Sequence, residues 1–274
     1  MHTFLTEMLP YDHRCFVISG GKHLDSASSD RPLLQQSSQP DHPRQVHTIT
    51  DRFSMANTYL VNNSSLFVVD PGSEQNVRLL FGYLQRVLQR APTDINLIVL
   101  THLHPDHTAG VQALRQRCRA PVAASSVIRQ LVQEKQANNK MLPALSHLAG
   151  RVLPGSLHHL DLFPPIYEEQ IQLVDLWLDN VDGLPGHPDW RVIASPGHTA
   201  ESLCLYNPFT WELLCGDTLI TIEGGAPLLR AGTNRRQLEE TLSILRTLSV
   251  HYLYPGHGRP ILSLQPLNNV EVEW

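Results

Sequence analysis

The chain has 274 residues, of which 42% are hydrophobic and 17% charged, so it is long enough to bury a sizeable core. Its formal net charge of −5 excludes a broad basic surface for nucleic acid or for an anionic membrane. Because it shows no signal peptide, no CxxC pair and no apolar run near the ~18 residues of a membrane span, we expect a cytoplasmic protein with reduced thiols.

Residues 1–45 are predicted to form an N-terminal arm that is partly irregular. The stretch 24–45 is rich in Ser, Gln, Asp and Pro, a composition typical of loops. Within the arm, the apolar run CFVI at 15–18 is predicted to be a short edge strand. A regular pattern begins at residue 46, so residues 46–274 are predicted to hold the folded domain.

The first half of this domain alternates strands and a helix. NTYLVN and SLFVVDPG predict two strands joined by a tight turn at 62–65. The following NVRLLFGYLQRVLQR has apolar residues at helical spacing, at positions 77, 80, 81, 84, 87 and 88. INLIVL is a short continuous apolar run, typical of a buried strand, and leads directly into THLHPDH at 101–107.

The second half repeats the same order of elements. SLCLYNP and WELLCGD predict two strands, RRQLEETLSILRTL predicts a helix, and VHYLYPGHG predicts a strand that ends at a histidine. Each half thus contains strand, strand, aspartate, helix, strand and histidine, with Asp70 predicted to correspond to Asp217. Two such halves can pack sheet against sheet with the helices outside, which predicts an α/β fold of four layers, αββα.

A helical insertion is predicted between the halves at about 126–165. SSVIRQLVQEKQ and MLPALSHLAGRVL both carry apolar residues at helical spacing, and Pro164–Pro165 closes the segment. QIQLVDLWL, at 170–178, is then predicted to resume a strand. From the position of the insertion, its helices at 126–153 are predicted to overhang the cleft between the two halves and to shape a pocket there, and the alternative is a helix pair packed on the outer layer.

The stretch THLHPDH gathers groups that can bind a metal ion. His102 and His104 lie two residues apart at the end of a strand, so their side chains can leave the same side of the chain. Pro105 suits the first turn of a helix, which would carry Asp106 and His107. Burying so many polar groups without partners is costly, and metal ligation removes that cost.

Three more residues of the same chemical types end predicted strands, in each case beside a glycine. His198 lies in PGHT after WRVIAS, Asp217 in GD after ELLC, and His257 in PGHG after VHYLY. Glycine permits a tight turn at such a position. We therefore predict that these residues meet the THLHPDH group at one sheet edge.

The sequence carries the motifs HxHxDH, GHT, GD and GHG in this order, and they resemble those of the metallo-β-lactamase superfamily of hydrolases. In detail they are similar to its glyoxalase II-type branch. The resemblance covers about residues 46–262. The resemblance implies the αββα fold and two divalent metal ions, with zinc expected and iron or manganese as alternatives. It also implies the ligands: His102, His104 and His198 for one ion, Asp106, His107 and His257 for the other, and Asp217 as the bridge.

The chemistry implied by the resemblance is hydrolysis by a metal-bridging hydroxide. Asp106 is predicted to exchange a proton with it as a catalytic residue, although ligation alone would also explain an aspartate there. Asp70 is predicted to hydrogen-bond to a ligand histidine from behind, and the alternative is an ordinary turn aspartate before Pro-Gly.

The expected substrate is a small ester, thioester or lactone, with no nucleic-acid or membrane partner. The short segment after His257 is predicted to be a tail without the helical domain that helps glyoxalase II enzymes to bind glutathione. Two alternatives remain open. One is a persulfide dioxygenase-like enzyme with a single iron held by His102, His198 and Asp217, and the other is a metal-binding protein without turnover. The sequence indicates no oligomeric state.

Overall fold

The largest sheet contains seven strands in sequential order. The computed structural model describes residues 15–18, 45–51, 56–63, 65–133, 171–180, 183–222, 225–230 and 232–273. The strands of this sheet are β1 (Cys15–Ile18), β2 (Val46–Asp51), β3 (Asn57–Asn62), β4 (Leu66–Val69), β5 (Ile95–Val99), β6 (Val122–Ser125) and β7 (Leu176–Leu178). The pairs from β1 to β4 are antiparallel and those from β4 to β7 are parallel. The predicted edge strand at 15–18 is thus confirmed.

The second half of the chain builds a five-stranded sheet and a small three-stranded one. Their strands are β8 (Arg191–Ala194), β9 (Leu203–Asn207), β10 (Glu212–Gly216), β11 (Ile220–Thr221), β12 (Pro227–Arg230), β13 (Tyr252–Pro255), β14 (Ile261–Leu262) and β15 (Glu271–Glu273). The five-stranded sheet has the order β14-β13-β10-β9-β8, and the small sheet has the order β11-β12-β15.

The helices follow the predicted positions except for the one at Val111–Cys118, which was not predicted, and two of them have polar caps where the chain enters them. They are α1 (Glu74–Tyr83), continued by a π-helical turn at Leu84–Leu88, α2 (Pro105–Thr108), α3 (Val111–Cys118), α4 (127–133) and α5 (Arg235–Leu245). Short 3₁₀ turns lie at Pro92–Asp94 and Pro266–Asn269. Ser73 caps α1 by accepting a hydrogen bond from Asn76 N, and Asn234 caps α5 in the same way through Gln237 N. No helix among the described residues has the length and apolar character that crossing a membrane requires.

Three apolar cores separate four layers. In β3 and β4, Leu60 and Val68 face α1 and α3, whereas Val61 and Phe67 face the five-stranded sheet. This alternation follows from the two-residue period of a strand. A third core packs α5 on the outer face of the five-stranded sheet, for example through Leu238. Helices, sheet, sheet and helix are therefore stacked in the predicted αββα order.

The internal repeat is visible in the strand pairing. In the first half β4 pairs antiparallel with β3 and parallel with β5, with α1 between β4 and β5. In the second half β10 pairs antiparallel with β9 and parallel with β13, with α5 between β10 and β13. The residue with a left-handed backbone at the end of the second strand is Asp70, directly after β4, in one half (φ 49°) and Gly216, the last residue of β10, in the other (φ 48°). Asp70 is therefore offset by one residue from Asp217, with which the sequence paired it.

Three predicted features differ from the structure or lie beyond what it describes. The strand expected at 170–178 is confined to Leu176–Leu178, because the chain first turns, with Val174 N donating to Ile171 O. The segment after His257 is not a tail, since β14 and β15 extend two sheets. In the predicted insertion, α4 packs Ile128 and Val132 into the core between the outer helices and the seven-stranded sheet, as the outer-layer alternative expects. Residues 134–165 lie outside the described residues, as do 1–14 and 19–44 of the predicted arm.

Candidate metal centre

The stretch THLHPDH lies at the carboxyl end of β5 and runs into α2. The strand ends at Val99, and α2 begins at Pro105, the residue after His104. His104 O accepts hydrogen bonds from the backbone N of His107 and of Thr108, which fixes the turn between the two elements. Two histidines therefore leave the chain before the helix, and Asp106 and His107 leave it from the first helical turn.

The other three predicted residues come from the facing half of the molecule. His198 follows β8, Asp217 follows β10 directly, and His257 lies two residues after the end of β13. The structure brings all seven predicted residues into one cluster at the edge where the strand ends of the two halves meet. Their roles as metal ligands remain a prediction.

The first set, defined as His102, His104 and His198, surrounds one side of Asp217. His198 Nε2 lies 3.2 Å from His104 Nδ1 and 3.5 Å from Asp217 Oδ2. His102 Nε2 lies 3.8 Å from the same carboxylate oxygen, and the His102 side chain is completely buried. These four residues form one of the groups whose ligand atoms all lie within 4.8 Å of one another.

The second set, defined as Asp106, His107 and His257, lies on the other side of Asp217. His257 Nε2 is 3.2 Å from Asp106 Oδ2 and 3.3 Å from His107 Nε2. Asp217 reaches this set with both oxygens, Oδ1 at 3.4 Å from His107 Nε2 and Oδ2 at 3.3 Å from His257 Nε2. The carboxylate of Asp217 therefore lies between the two sets.

The donor atoms fit metal ions better than they fit one another. Within the described residues, His102 Nε2 and Asp217 Oδ1 are buried and make no hydrogen bond, which is costly unless an ion uses their lone pairs. Ligand atoms around a tetrahedral ion with bonds of ~2.1 Å are about 3.4 Å apart. The spacings within each set are close to that value.

Asp70 holds two of the histidines from behind. Its carboxylate accepts hydrogen bonds from Thr101 N at 2.8 Å, Thr101 Oγ1 at 2.6 Å and His107 Nδ1 at 3.0 Å. Since the Thr101 hydroxyl donates to Asp70, it accepts from His102 Nδ1, 3.0 Å away. Both Nδ1 atoms then carry the proton, so the Nε2 lone pairs of His102 and His107 face the cluster. Sequence reasoning singled out Asp70 and missed Thr101.

Two glycines are required by close approaches that the sequence did not indicate. A Cβ on Gly197, where φ is +135°, would lie 2.5 Å from Leu238 N in α5. A Cβ on Gly256 would lie 2.0 Å from Asp217 Oδ1 and 3.0 Å from His107 Cε1. The GH pairs in the sequence marked tight turns, but their glycines also leave room for α5 and for the cluster itself.

The protein environment lowers the pKa values of two histidines of the first set and raises those of both histidines of the second set. Burial lowers the pKa of His198 to about 4 and holds that of His102 well below its usual value. Burial also acts to lower the pKa of His257, but hydrogen bonds to Asp106 and Asp217 outweigh it and raise the value to about 9. Burial also acts to lower the pKa of His107, but the carboxylates of Asp217 and Asp70 outweigh it and hold the pKa well above its usual value. In the metal-free protein His107 and His257 therefore hold protons that His102 and His198 do not.

Comparison with known proteins agrees with this geometry. Residues 51–257, which include the whole cluster, match the model of the metallo-beta-lactamase superfamily. A probable metallo-hydrolase of Methanocaldococcus jannaschii is 26% identical over 209 residues, which cover 74% of this chain and 87% of that protein. A hydroxyacylglutathione hydrolase of Rhodobacter capsulatus is 30% identical over 190 residues, which cover 67% of this chain and 58% of that protein.

A solved structure shows the same fold. The metallo-beta-lactamase from Pontibacter korlensis has a TM-score of 0.53 with this chain at 16% identity, and the match covers 82% of this chain and 91% of that one. At this level of identity the likeness concerns the fold alone. Together with the family match, it confirms the predicted fold class.

Proposed function

Because the chain belongs to the metallo-beta-lactamase superfamily, we propose that it is a metal-dependent hydrolase that cleaves a small ester, thioester or lactone. The observation that carries this proposal is the position of Asp217, whose carboxylate lies 3.3–3.8 Å from imidazole nitrogens of both sets. A carboxylate placed in this way suits two divalent ions better than one, since each of its sides meets ligand groups of its own.

The residues of each set have distinct roles in this proposal. His102, His104 and His198 hold one ion, Asp106, His107 and His257 hold the other, and Asp217 bridges them. Two divalent ions, zinc first among the candidates, would supply an activated water at neutral pH and polarise the acyl oxygen of the substrate. The Asp70 and Thr101 contacts keep the ring planes of His102 and His107 fixed, so that no reorganisation of these ligands is needed during turnover.

Asp106 is suited to a second role as a proton carrier. Its side chain is 42% exposed, whereas that of Asp217 is only 8% exposed. The hydrogen bond from His257 lowers the pKa of Asp106, so the carboxylate is ionised at neutral pH. An ionised carboxylate open to the solvent side of the cluster can accept a proton from the attacking water and pass it to the leaving group.

The net charge of the chain and the name of one relative both favour an acyl substrate over a nucleic acid. The chain carries 26 acidic and 21 Lys or Arg residues, so a phosphate backbone would be held weakly. The Rhodobacter relative is named as a hydrolase of an acylated thiol, hydroxyacylglutathione. Because the match covers only 58% of that protein, we carry over the acyl chemistry and not the recognition of glutathione.

The test is a comparison of substrates and metals. Protein stripped with a chelator is reloaded with Zn²⁺, Mn²⁺ or Fe²⁺ and assayed on an aryl ester, an acyl thioester, a lactone, a phosphodiester and a persulfide, while oxygen uptake is followed. We expect acyl hydrolysis with no oxygen uptake and two equivalents of metal. Oxygen uptake with the persulfide and no hydrolysis of any acyl substrate would replace this proposal with a one-iron dioxygenase.

A further inference from the structure

The loop that carries His257 is held through its backbone carbonyls. It runs from Pro255 to Gly258, and each of its four carbonyl oxygens accepts a hydrogen bond from a residue distant in sequence. His257 O accepts from Thr221 N at 3.0 Å. The other three carbonyls all accept from one residue of the first half, Asn57 in β3.

Asn57 bonds to this loop with both its main chain and its side chain. Its backbone N donates to Gly256 O at 2.8 Å. Its side-chain Nδ2 donates to Pro255 O at 2.9 Å and to Gly258 O at 2.8 Å, across 198 and 201 residues of sequence. The three carbonyls surround His257 in the chain, so Asn57 determines where the backbone of His257 lies.

The orientation of the Asn57 amide is itself fixed. Thr50 Oγ1 donates to Asn57 Oδ1 at 2.6 Å, which leaves the NH₂ group to face the loop. Asn57 is 1% exposed and Pro255 is buried, so water cannot replace the Nδ2 donor at Pro255 O when it is lost, and this carbonyl would keep only one partner. Tyr59 supports the arrangement, since its hydroxyl donates to Pro255 O and lies 3.1 Å from Asn57 Nδ2.

We propose that Asn57 is a positioning residue, which fixes the His257 loop against the cluster and thereby sets the metal affinity of the second set without affecting that of the first. The second part of this proposal rests on the two-metal function proposed above. The three histidines of the first set lie outside this loop, since His102, His104 and His198 come from the segments after β5 and β8.

Two variants test the contact, and a third is a matched control. Asn57→Asp keeps the size of the side chain and the acceptor for Thr50, but it places a carboxylate oxygen against Pro255 O and Gly258 O. Thr50→Val leaves Asn57 in place and removes only the hydroxyl that orients its amide, so it serves if the first variant does not fold. The control is Asn207→Ala, which removes another buried asparagine whose Oδ1 accepts from Phe209 N and Thr210 N. Asn207 lies opposite Glu212, at the end of β10 remote from Asp217.

The first measurement needs no metal. Hydrogen exchange of the chelator-treated proteins is followed for peptides that cover 253–262. We expect the amides of this loop to exchange at least tenfold faster in Asn57→Asp than in the wild type, and to be unchanged in Asn207→Ala. Exchange equal to the wild type in both Asn57→Asp and Thr50→Val would overturn the proposal.

The second measurement is a titration with Zn²⁺ or Co²⁺ by calorimetry and, for Co²⁺, by absorption. We expect the first equivalent to bind within about threefold of the wild type and the second to bind at least ~10-fold more weakly, the scale of supporting contacts around metal ligands. Equal weakening of both equivalents, or the same selective loss in Asn207→Ala, would mean that Asn57 acts only on general stability. If the wild-type protein binds only one equivalent of metal, the two-metal function is refuted. The hydrogen-exchange measurement would still test whether Asn57 holds the His257 loop.

Discussion

Gly256 lies so close to Asp217 that a methyl group at position 256 would have its carbon 2.0 Å from Oδ1 of the carboxylate. The backbone explains the approach, since Gly256 N donates to Gly216 O at 2.7 Å and thereby joins the loop after β13 to the residue before Asp217. The φ angle of Gly256 is not among the left-handed ones. Glycine is therefore needed at this position for space and not for its backbone conformation.

Gly256→Ala should displace the bridging carboxylate. The added carbon would also lie 3.0 Å from His107 Cε1, so neither neighbour can move away without leaving the cluster. We expect at least ~10-fold weaker metal binding, measured by competition with a chromophoric chelator, and a parallel fall in kcat/KM.

The control for this change is Gly82→Ala in α1. There the nearest atom to an added Cβ belongs to the flexible side chain of Arg86, at 3.2 Å. An alanine within a helix is favoured over glycine by up to ~1 kcal/mol. The control should therefore keep its metal affinity and melt at the same temperature or a higher one. Unchanged metal affinity in Gly256→Ala would show that the cluster tolerates a shift of Asp217.

Asp217→Ala should abolish turnover, because both sets lose the group that lies between them. The protein should retain at most one tightly bound equivalent of metal, measured by elemental analysis after gel filtration. Asp189→Ala, which removes an exposed aspartate, should retain both equivalents and full activity. Turnover above background in Asp217→Ala would mean that the two ions do not share this carboxylate.

The sequence predicted the cluster well because each of its residues lies in a local motif at a strand end. A short apolar run indicates where a strand stops, and the polar residue that follows must lie at the sheet edge. His104, Asp217 and His257 could all be found in this way, within windows of a few residues. The order of the two halves followed from the same runs.

The missed contacts depend on distances that no local window contains. Asn57 bonds to carbonyls about 200 residues away, and in the sequence it is only one polar residue at the start of a strand. Similarly, the lack of space for a side chain at Gly256 arises where the loop after β13 meets the loop after β10. The strand predicted from residue 170 was too long because apolar residues in a turn, such as Ile171 and Val174, continue the pattern of the strand after them. Long-range packing decided the first two of these cases, and a local turn decided the third.

Metal binding to the second set should release protons near neutral pH. In the metal-free protein the pKa of His257 is about 9, since its bonds to Asp106 and Asp217 outweigh burial. The pKa of His198 is about 4 as a result of burial. At pH 7.5 a metal ion must therefore displace a proton from His257 but none from His198.

Calorimetry in two buffers of different ionisation enthalpy checks this expectation. The heat of the second equivalent should depend on the buffer more strongly than that of the first, because His257 must lose a proton and His198 need not. For each proton displaced, the apparent affinity of the second equivalent should fall about tenfold per pH unit as the pH is lowered below 9. Equal buffer dependence of both equivalents would contradict the assignment of protons to the second set.

Acid should weaken the fold through a histidine outside the cluster. His187 is 1% exposed, its Nε2 lies 2.8 Å from Asn96 Oδ1, and its ring centroid is 4.4 Å from that of Phe67. Burial lowers its pKa to about 4, so the folded protein keeps this ring neutral at pH values where the unfolded chain already binds a proton. Between pH 6.5 and 4 the unfolded state thus binds more protons, and the free energy of unfolding must fall as the pH falls.

The size of the effect follows from the same pKa values. An unfolded histidine titrates near pH 6.5, so at pH 5 the folded state has lost about 2 kcal/mol relative to pH 7.5, at ~1.4 kcal/mol per pH unit. His187→Gln removes the titrating group. The variant should have a lower unfolding free energy than the wild type at pH 7.5, and this difference should be about 2 kcal/mol smaller at pH 5. Urea denaturation of the chelator-treated proteins at both pH values measures this difference, and the cluster histidines, present in both proteins, cancel in it. A deficit that is the same at both pH values would show that His187 is protonated in the folded protein, because a ring that charges without penalty cannot make stability depend on pH.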